Sequence, residues 1–257
     1  MRWRYENEYP LNRTEWTRYY LRSAGVKHGK GSDFGTISID PPKQEEPDTY
    51  SVPESTELLL AGKPVLSYST PPLKSKIRIY GPLSIILYGS STSQDTVWFV
   101  KLLDISPSGK QRLLTQGVLR ASYRALDESK STMGRPFHPF KKRRLLASNT
   151  IYEFQIELMP IFHTFKKDHR MRVDIASDDL THYGALHTLD IEELPMPSRN
   201  SVYHNSRYPS HLLLPVIPDA PVFRKVEPPL SNIAWSFTPG TSWPSTQGWP
   251  LVRKDRN

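Results

Sequence analysis

Cysteine is absent from the 257 residues. That excludes disulfides and thiolate metal centres, and it suits a reducing, cytoplasmic setting. No apolar run approaches the roughly 20 residues that a membrane-spanning helix needs. The opening Met1-Arg2-Trp3-Arg4-Tyr5-Glu6 lacks an apolar signal core, so neither a membrane span nor a secretory leader is expected. Gly-x-Ser-x-Gly, the nucleophile elbow of α/β-hydrolases, does not occur, and neither does His-Glu-x-x-His. Helix-length periodicity is missing throughout. Apolar residues make up 37 % of the chain and charged residues 23 %, a balance poor in core-forming side chains.

What is present is a series of short apolar runs of strand character. Gly81–Tyr88, Val97–Asp104, Gly117–Arg124, Ile151–Leu158 and Asp168–Ile175 form the centre, and Thr17–Leu21, Thr36–Ile39, Val65–Ser69, Lys76–Tyr80 and Ser210–Val216 flank it. Tyr152, Phe154, Ile156 and Leu158 alternate with Glu153, Gln155 and Glu157, and Met171, Val173 and Ile175 alternate with Arg172 and Asp174. Successive side chains of a strand leave opposite faces, so this period of two marks half-buried strands. Val97–Leu103 is apolar on both faces and requires cover on both. Many short strands, long loops and no helix predict an all-β fold: a jelly-roll β-sandwich of the galactose-binding-like kind, with two antiparallel sheets on one core.

The expected organisation has three parts. Residues 1–22 are an aromatic-rich lead-in holding Trp3, Tyr5, Tyr9, Trp16, Tyr19 and Tyr20, which pack either on a partner or on the chain's own sandwich. Residues 23–216 are the sandwich. Residues 217–257 are a Pro- and Trp-rich tail with too few aliphatic side chains to fold alone. Within the sandwich, the Pro- and Glu-rich 40–64 reads as one long extended loop, and 125–147 as a second polar insertion. After Ala176 only 210–216 returns as a strand.

Candidate chemistry is sparse. Gly29-Lys30-Gly31-Ser32-Asp33-Phe34-Gly35 misses the dinucleotide spacing and reads as a turn. Asp168-His169 looks like two members of a triad but is better explained as a turn residue beside the first residue of a strand. His182 and His187 with Asp178 or Asp179 match no defensible metal motif. Trp98 is expected to be buried, and Arg120 to pair with a carboxylate, with Asp104 as the candidate. No catalytic, cofactor-binding or metal-binding residue is therefore assigned, and no cofactor is expected. The net charge of +8 favours loose contact with polyanions. The densest basic cluster, Lys141-Lys142-Arg143-Arg144, reads as a solvated turn without interleaved aromatics, and no nucleic-acid or membrane partner is expected.

Several ordered motifs resemble one family. Asp95–Gly109 resembles "D-x-D-W-x-V-K-L-x-D-V-x-P-D-G", Leu114–Ser122 resembles "L-T-x-G-x-L-R-A-S", and Phe165–Val173 resembles "F-x-x-G-H-R-L-R-V" with Asp168 where glycine is usual. His211–Val216, preceded by Tyr208-Pro209-Ser210, resembles the closing "H-P-S-x-L-x-L-P-V". These are marks of the C-terminal non-catalytic domain of X-Pro dipeptidyl-peptidases and CocE/NonD acyl esterases, over roughly residues 1–216. The resemblance implies a jelly roll that packs on an α/β-hydrolase catalytic domain, upstream or on a separate chain, and shapes its active site. The family's Ser-Asp-His triad lies outside the matched region, so this chain alone is expected to be inactive. The alternative reading is a stand-alone carbohydrate- or protein-binding module, which predicts Trp16, Tyr19 and Trp98 exposed in a row.

Overall fold

The structure is a computed structural model and describes residues 8–23, 35–52, 65–177 and 197–218. The strands are β1 (Glu15–Ser23), β2 (Gly35–Ser38), β3 (Asp48–Val52), β4 (Val65–Ser69), β5 (Ile77–Ser91), β6 (Val97–Ile105), β7 (Gln111–Arg120), β8 (Tyr152–Phe165), β9 (Arg170–Ala176), β10 (Ser198–Tyr203) and β11 (His211–Ile217). A single 3-10 turn, Ala121–Tyr123, follows β7. Among the described residues there is no α-helix, and no helix long and apolar enough to cross a membrane.

The strands form one hydrogen-bonded path, β3-β10-β5-β11-β1-β2-β4-β9-β6-β7, with β8 along the other edge of β5. The β2–β4 pair is parallel, and the other pairs are antiparallel. This path folds back on itself. Leu83, Ile85 and Leu87 of β5 and Phe154, Ile156 and Leu158 of β8 share one core with Trp98, Val100 and Leu102 of β6 and Met171, Val173 and Ile175 of β9. The fold is thus the expected all-β sandwich on one core, with its strands joined into a single mixed sheet through the parallel β2–β4 pair. The inward residues of β8 and β9 are those that the alternation picks out.

Two close approaches set the layer spacing. A Cβ on Gly89 would lie 2.8 Å from the indole of Trp98, so the glycine makes room for a side chain that is 0 % exposed. A Cβ on Gly117 would lie 2.1 Å from the Glu157 carbonyl oxygen, so β7 and β8 meet backbone to backbone. Thr115 Oγ1 donates to the Met159 carbonyl at 2.7 Å beside that crossing.

Three expectations need correction. Residues 40–64 are not one loop: β3 lies within them and pairs with β10. The segment after Ala176 holds β10 as well as the final strand. Lys76–Tyr80 and Gly81–Tyr88 are parts of one 15-residue strand, whose partners change along its length from β11 to β10.

Candidate functional site

The polar residues of the recognised motifs turn inward. Asp95, just before β6, is buried, and its carboxylate is saturated. Oδ1 accepts from the Thr96 and Ser122 amides at 3.0 and 2.9 Å, and Oδ2 accepts from Arg120 Nε at 2.8 Å and Arg143 Nη2 at 3.3 Å. Arg120 thus does pair with a carboxylate, but with Asp95 rather than Asp104. The hairpin register explains why: Arg120 lies opposite Val97, whereas Asp104 lies opposite Arg112 at the far end of the same pair. The basic run 141–144 is exposed, yet Arg143 reaches back to the buried acid, so the run is partly structural.

Asp104 has a different role. His163 Nε2 of β8 faces its Oδ2 at 2.9 Å, and His169 Nδ1, just before β9, faces its Oδ1 at 2.7 Å. One carboxylate on β6 thereby ties two neighbouring segments. Burial lowers the pKa of His163, and the adjacent Asp104 opposes that shift only in part. Asp168 does not face His169 as a triad partner would. It sits in the turn at φ 67°, the left-handed region that glycine supplies in the family pattern, and Asp tolerates that region better than most residues. Arg170 Nη1 donates to the Thr70 carbonyl and Arg172 Nε to Asp174, so this motif also serves the scaffold.

A buried polar cluster escaped the sequence reading. Asn200 Nδ2 donates to Thr96 Oγ1 at 2.8 Å and Ser177 Oγ at 2.9 Å, and Ser177 shares a 2.7 Å hydrogen bond with the Tyr50 hydroxyl. Tyr68 donates to Asp48 Oδ2 at 2.9 Å. Burial pushes the Tyr50 phenol up to about 12; burial and the Asp48 charge raise Tyr68 well above its ordinary value. These residues come from β3, β4 and β10 and from the positions beside the ends of β6 and β9, far apart in the chain, so no linear signal marks them. The candidates His182, His187, Asp178 and Asp179, the glycine-rich 29–35 loop apart from Gly35, Trp3, Tyr5 and the 219–257 tail lie outside the described residues. Among the described residues no group of three or more His, Asp and Glu is placed to hold a metal ion.

The outward-facing features are clefts and aromatics. A cleft of about 600 Å³ runs between β7, β8 and the 125–147 insertion, lined by Val118, Phe137, Phe140, Glu157, Met159 and Pro160 among others. The β5–β8 register shifts between Gly81 and Leu83, and there Met159 stands 59 % exposed. Phe140 is 60 % exposed and has φ 50°, a conformation that costs a bulky side chain energy. Beside the cleft, Phe162 is 70 % exposed, with Tyr9 and Tyr80 rings 6.1 and 5.8 Å away. Arg135 and Glu157, paired N to O at 3.2 Å, both line the cleft. The Tyr9 phenol is raised chiefly by desolvation, and both members of that pair act on it.

A second, more polar cleft of about 800 Å³ is lined by Trp16, Arg18, Tyr20, Ile39, Tyr88 and Glu153, with Met133 at its rim. Tyr88 donates to Glu153 Oε2 at 2.9 Å. The row of exposed rings that a sugar-binding platform requires is not formed by the residues proposed for it, because Trp98 and Tyr19 are both buried.

A family model for the X-Pro dipeptidyl-peptidase C-terminal non-catalytic domain matches residues 1–213. Cocaine esterase of Rhodococcus sp. (strain MB1 Bresler) is 28 % identical over 243 residues, which is 84 % of this chain and 40 % of that protein. In fold, the chain resembles a CocE/NonD family hydrolase from Staphylococcus aureus, with TM-score 0.69, 19 % identity, and coverage of 83 % of this chain and 38 % of that one. It also resembles an aminopeptidase from a marine sediment Thaumarchaeota archaeon, with TM-score 0.64, 19 % identity, and coverage of 84 % and 39 %. The chain thus spans about two fifths of the length of these three relatives. With the family model spanning all the described strands but the end of β11, and its motif residues holding the sandwich together, this chain belongs to the X-Pro dipeptidyl-peptidase C-terminal non-catalytic domain family.

Proposed function

We propose that this chain works as the accessory β-domain of a serine hydrolase of the CocE/NonD and X-Pro dipeptidyl-peptidase kind, packed on an α/β-hydrolase domain whose active site it helps to shape. The observation that carries this reading is that the polar motif residues are spent on the scaffold. Asp95, Arg120, Asp104 and His169 hold strands together and present no nucleophile with a base. The partial coverage of hydrolase relatives supports it, as does an exposed apolar face. The absence of cysteine suits a cytoplasmic assembly.

Two measurements test it. An antibody against this domain should detect, in the native source, a polypeptide well above 29.6 kDa or a stable complex with a hydrolase chain. The 257-residue chain alone should not hydrolyse acyl esters or X-Pro peptides, whereas the native assembly should. A native 29.6 kDa monomer with no hydrolase attached sinks the proposal.

A further inference from the structure

We infer that the aromatic cleft of Val118, Phe137, Phe140 and Met159, extended by Phe162 and Tyr9, is the face on which the hydrolase domain is seated. This inference deepens the proposed function and rests on it, and four observations lead to it.

The first is continuity of cost. Five large apolar side chains stand exposed on adjoining parts of the surface: Tyr9, Phe137, Phe140, Met159 and Phe162. The largest apolar patch of an ordinary monomer is itself about 300–600 Å² and is often functional. The cleft and the Tyr9–Phe162 pair lie along one strand: Met159 and Pro160 of β8 line the cleft, and Phe162, two residues further on, meets the Tyr9 ring at 6.1 Å.

The second is strain. Phe140 holds φ 50° with its ring outward, against His138 and Tyr123 at centroid distances of 5.8 Å each. A solvated loop gains nothing from a phenylalanine in that conformation, where asparagine or glycine would sit at lower energy. A ring held rigidly outward is suited to fill a pocket on another surface, since little side-chain freedom remains to be lost on binding.

The third is chain direction. The first described residues, 8–10, lead into β1 from this face, with Tyr9 against Phe162. The last described residues leave from the same end of the β5–β8 pair, since Ile217 lies opposite Arg78 and Arg78 opposite Thr164. The family matched is a C-terminal domain, so in its hydrolase relatives the remaining length precedes the matched region. A preceding domain tethered at this point has the aromatic face within its immediate reach.

The fourth is the rim. Lys141, Lys142 and Arg144 are exposed next to Phe140, while Arg135 on the cleft wall is already paired with Glu157. An apolar centre with a polar, here basic, border is the usual anatomy of a specific interface. It calls for an acidic border on the hydrolase domain.

The absence of cysteine gives a direct test. Phe140→Cys and Met159→Cys are made singly in the native hydrolase-containing assembly and in the 257-residue chain, with Ile39→Cys in the polar cleft as the control. Alkylation at each position is followed by peptide mass. The expected result is that positions 140 and 159 react about tenfold or more slowly in the assembly than in the chain alone, while position 39 reacts equally in both. Equal reaction at 140 and 159 in a form that does contain a hydrolase domain overturns the assignment of this face and leaves the proposed function standing. If no hydrolase-containing form exists in the native source, both fall. Protection already present in the chain alone also overturns the assignment. Dependence on chain concentration would name a second copy as the occupant, and loss of protection on removing 219–257 would name the tail.

Discussion

Two regions of this molecule treat their side chains in opposite ways. At Asp95 four donors converge on one buried carboxylate, and its oxygens have nothing left to offer an outside partner. Less than one strand away, around Phe140 and Met159, apolar groups stand in solvent and one backbone position is held at a positive φ. The first region binds only itself, whereas the second remains incomplete. The contrast shows that motif residues recognisable in a sequence need not be the ones that meet a partner. Charged residues at fixed spacings are retained here for register, and the outward task falls to side chains that carry no motif.

The largest break in this comparison should come from Asp95→Asn. It leaves Arg120, whose side chain is about 10 % exposed, without its full counter-charge. Removing one partner of a buried pair costs about 3–5 kcal/mol. A urea titration of the isolated chain should show that loss, and Arg143, a second cation on the same carboxylate, cannot replace the missing charge.

Gly117→Ala should come next. Its Cβ would fall 2.1 Å from the Glu157 carbonyl, and both atoms belong to backbones that cannot move independently. Overpacking of this kind costs about 1–3 kcal/mol, or more where backbone is struck. The denaturation midpoint checks it, and an unchanged midpoint would mean that β7 and β8 are not in contact.

Phe140→Asn should act in the opposite direction on the isolated chain. The ring is mostly exposed, so little burial is lost, and asparagine tolerates the left-handed region. A gain of about 1 kcal/mol is expected, visible as a higher midpoint. A loss of stability would move Phe140 from the outward-facing region to the scaffold.

The smallest effect is on pH dependence. Burial lowers the pKa of both His163 and His211 below the ordinary histidine value. The unfolded chain therefore takes up these protons first. Stability is full above about pH 6.5 and declines as the pH falls from there towards the lowered folded values. Urea midpoints between pH 8 and 5 should show that decline, and His163→Gln should flatten part of it.

The all-β fold was legible in the sequence because β8 and β9 alternate cleanly and β6 is apolar on both faces. β3 and β10 were not legible, for a reason visible in their residues. In β10 the inward positions include Ser198 and Asn200, so the alternation of polarity disappears while the alternation of burial remains; in β3 Tyr50 and Val52 do alternate with Thr49 and Ser51, but over only five residues inside a Pro- and Glu-rich stretch. The partner of Arg120 was misread because two acids flank the same strand and only the register separates them. The aromatic face was not foreseen beyond Tyr9. Phe137, Phe140, Met159 and Phe162 lie in an insertion and at a register shift, and neither has a period to read.

β1 and β11, the first and last of the described strands, pair with each other, and β11 also closes one edge of β5. During synthesis β1 can pair with β2 early, but its other edge must wait for nearly the whole domain to leave the ribosome before the ladder with β11 can form, and such long-range pairing is slow to close. Until then the backbone donors and acceptors along β1 and β5 remain open to neighbouring chains. A product truncated before His211 would be left with that exposure permanently, so loss of the last few residues of the sandwich should lead to aggregation rather than to a slightly weaker fold.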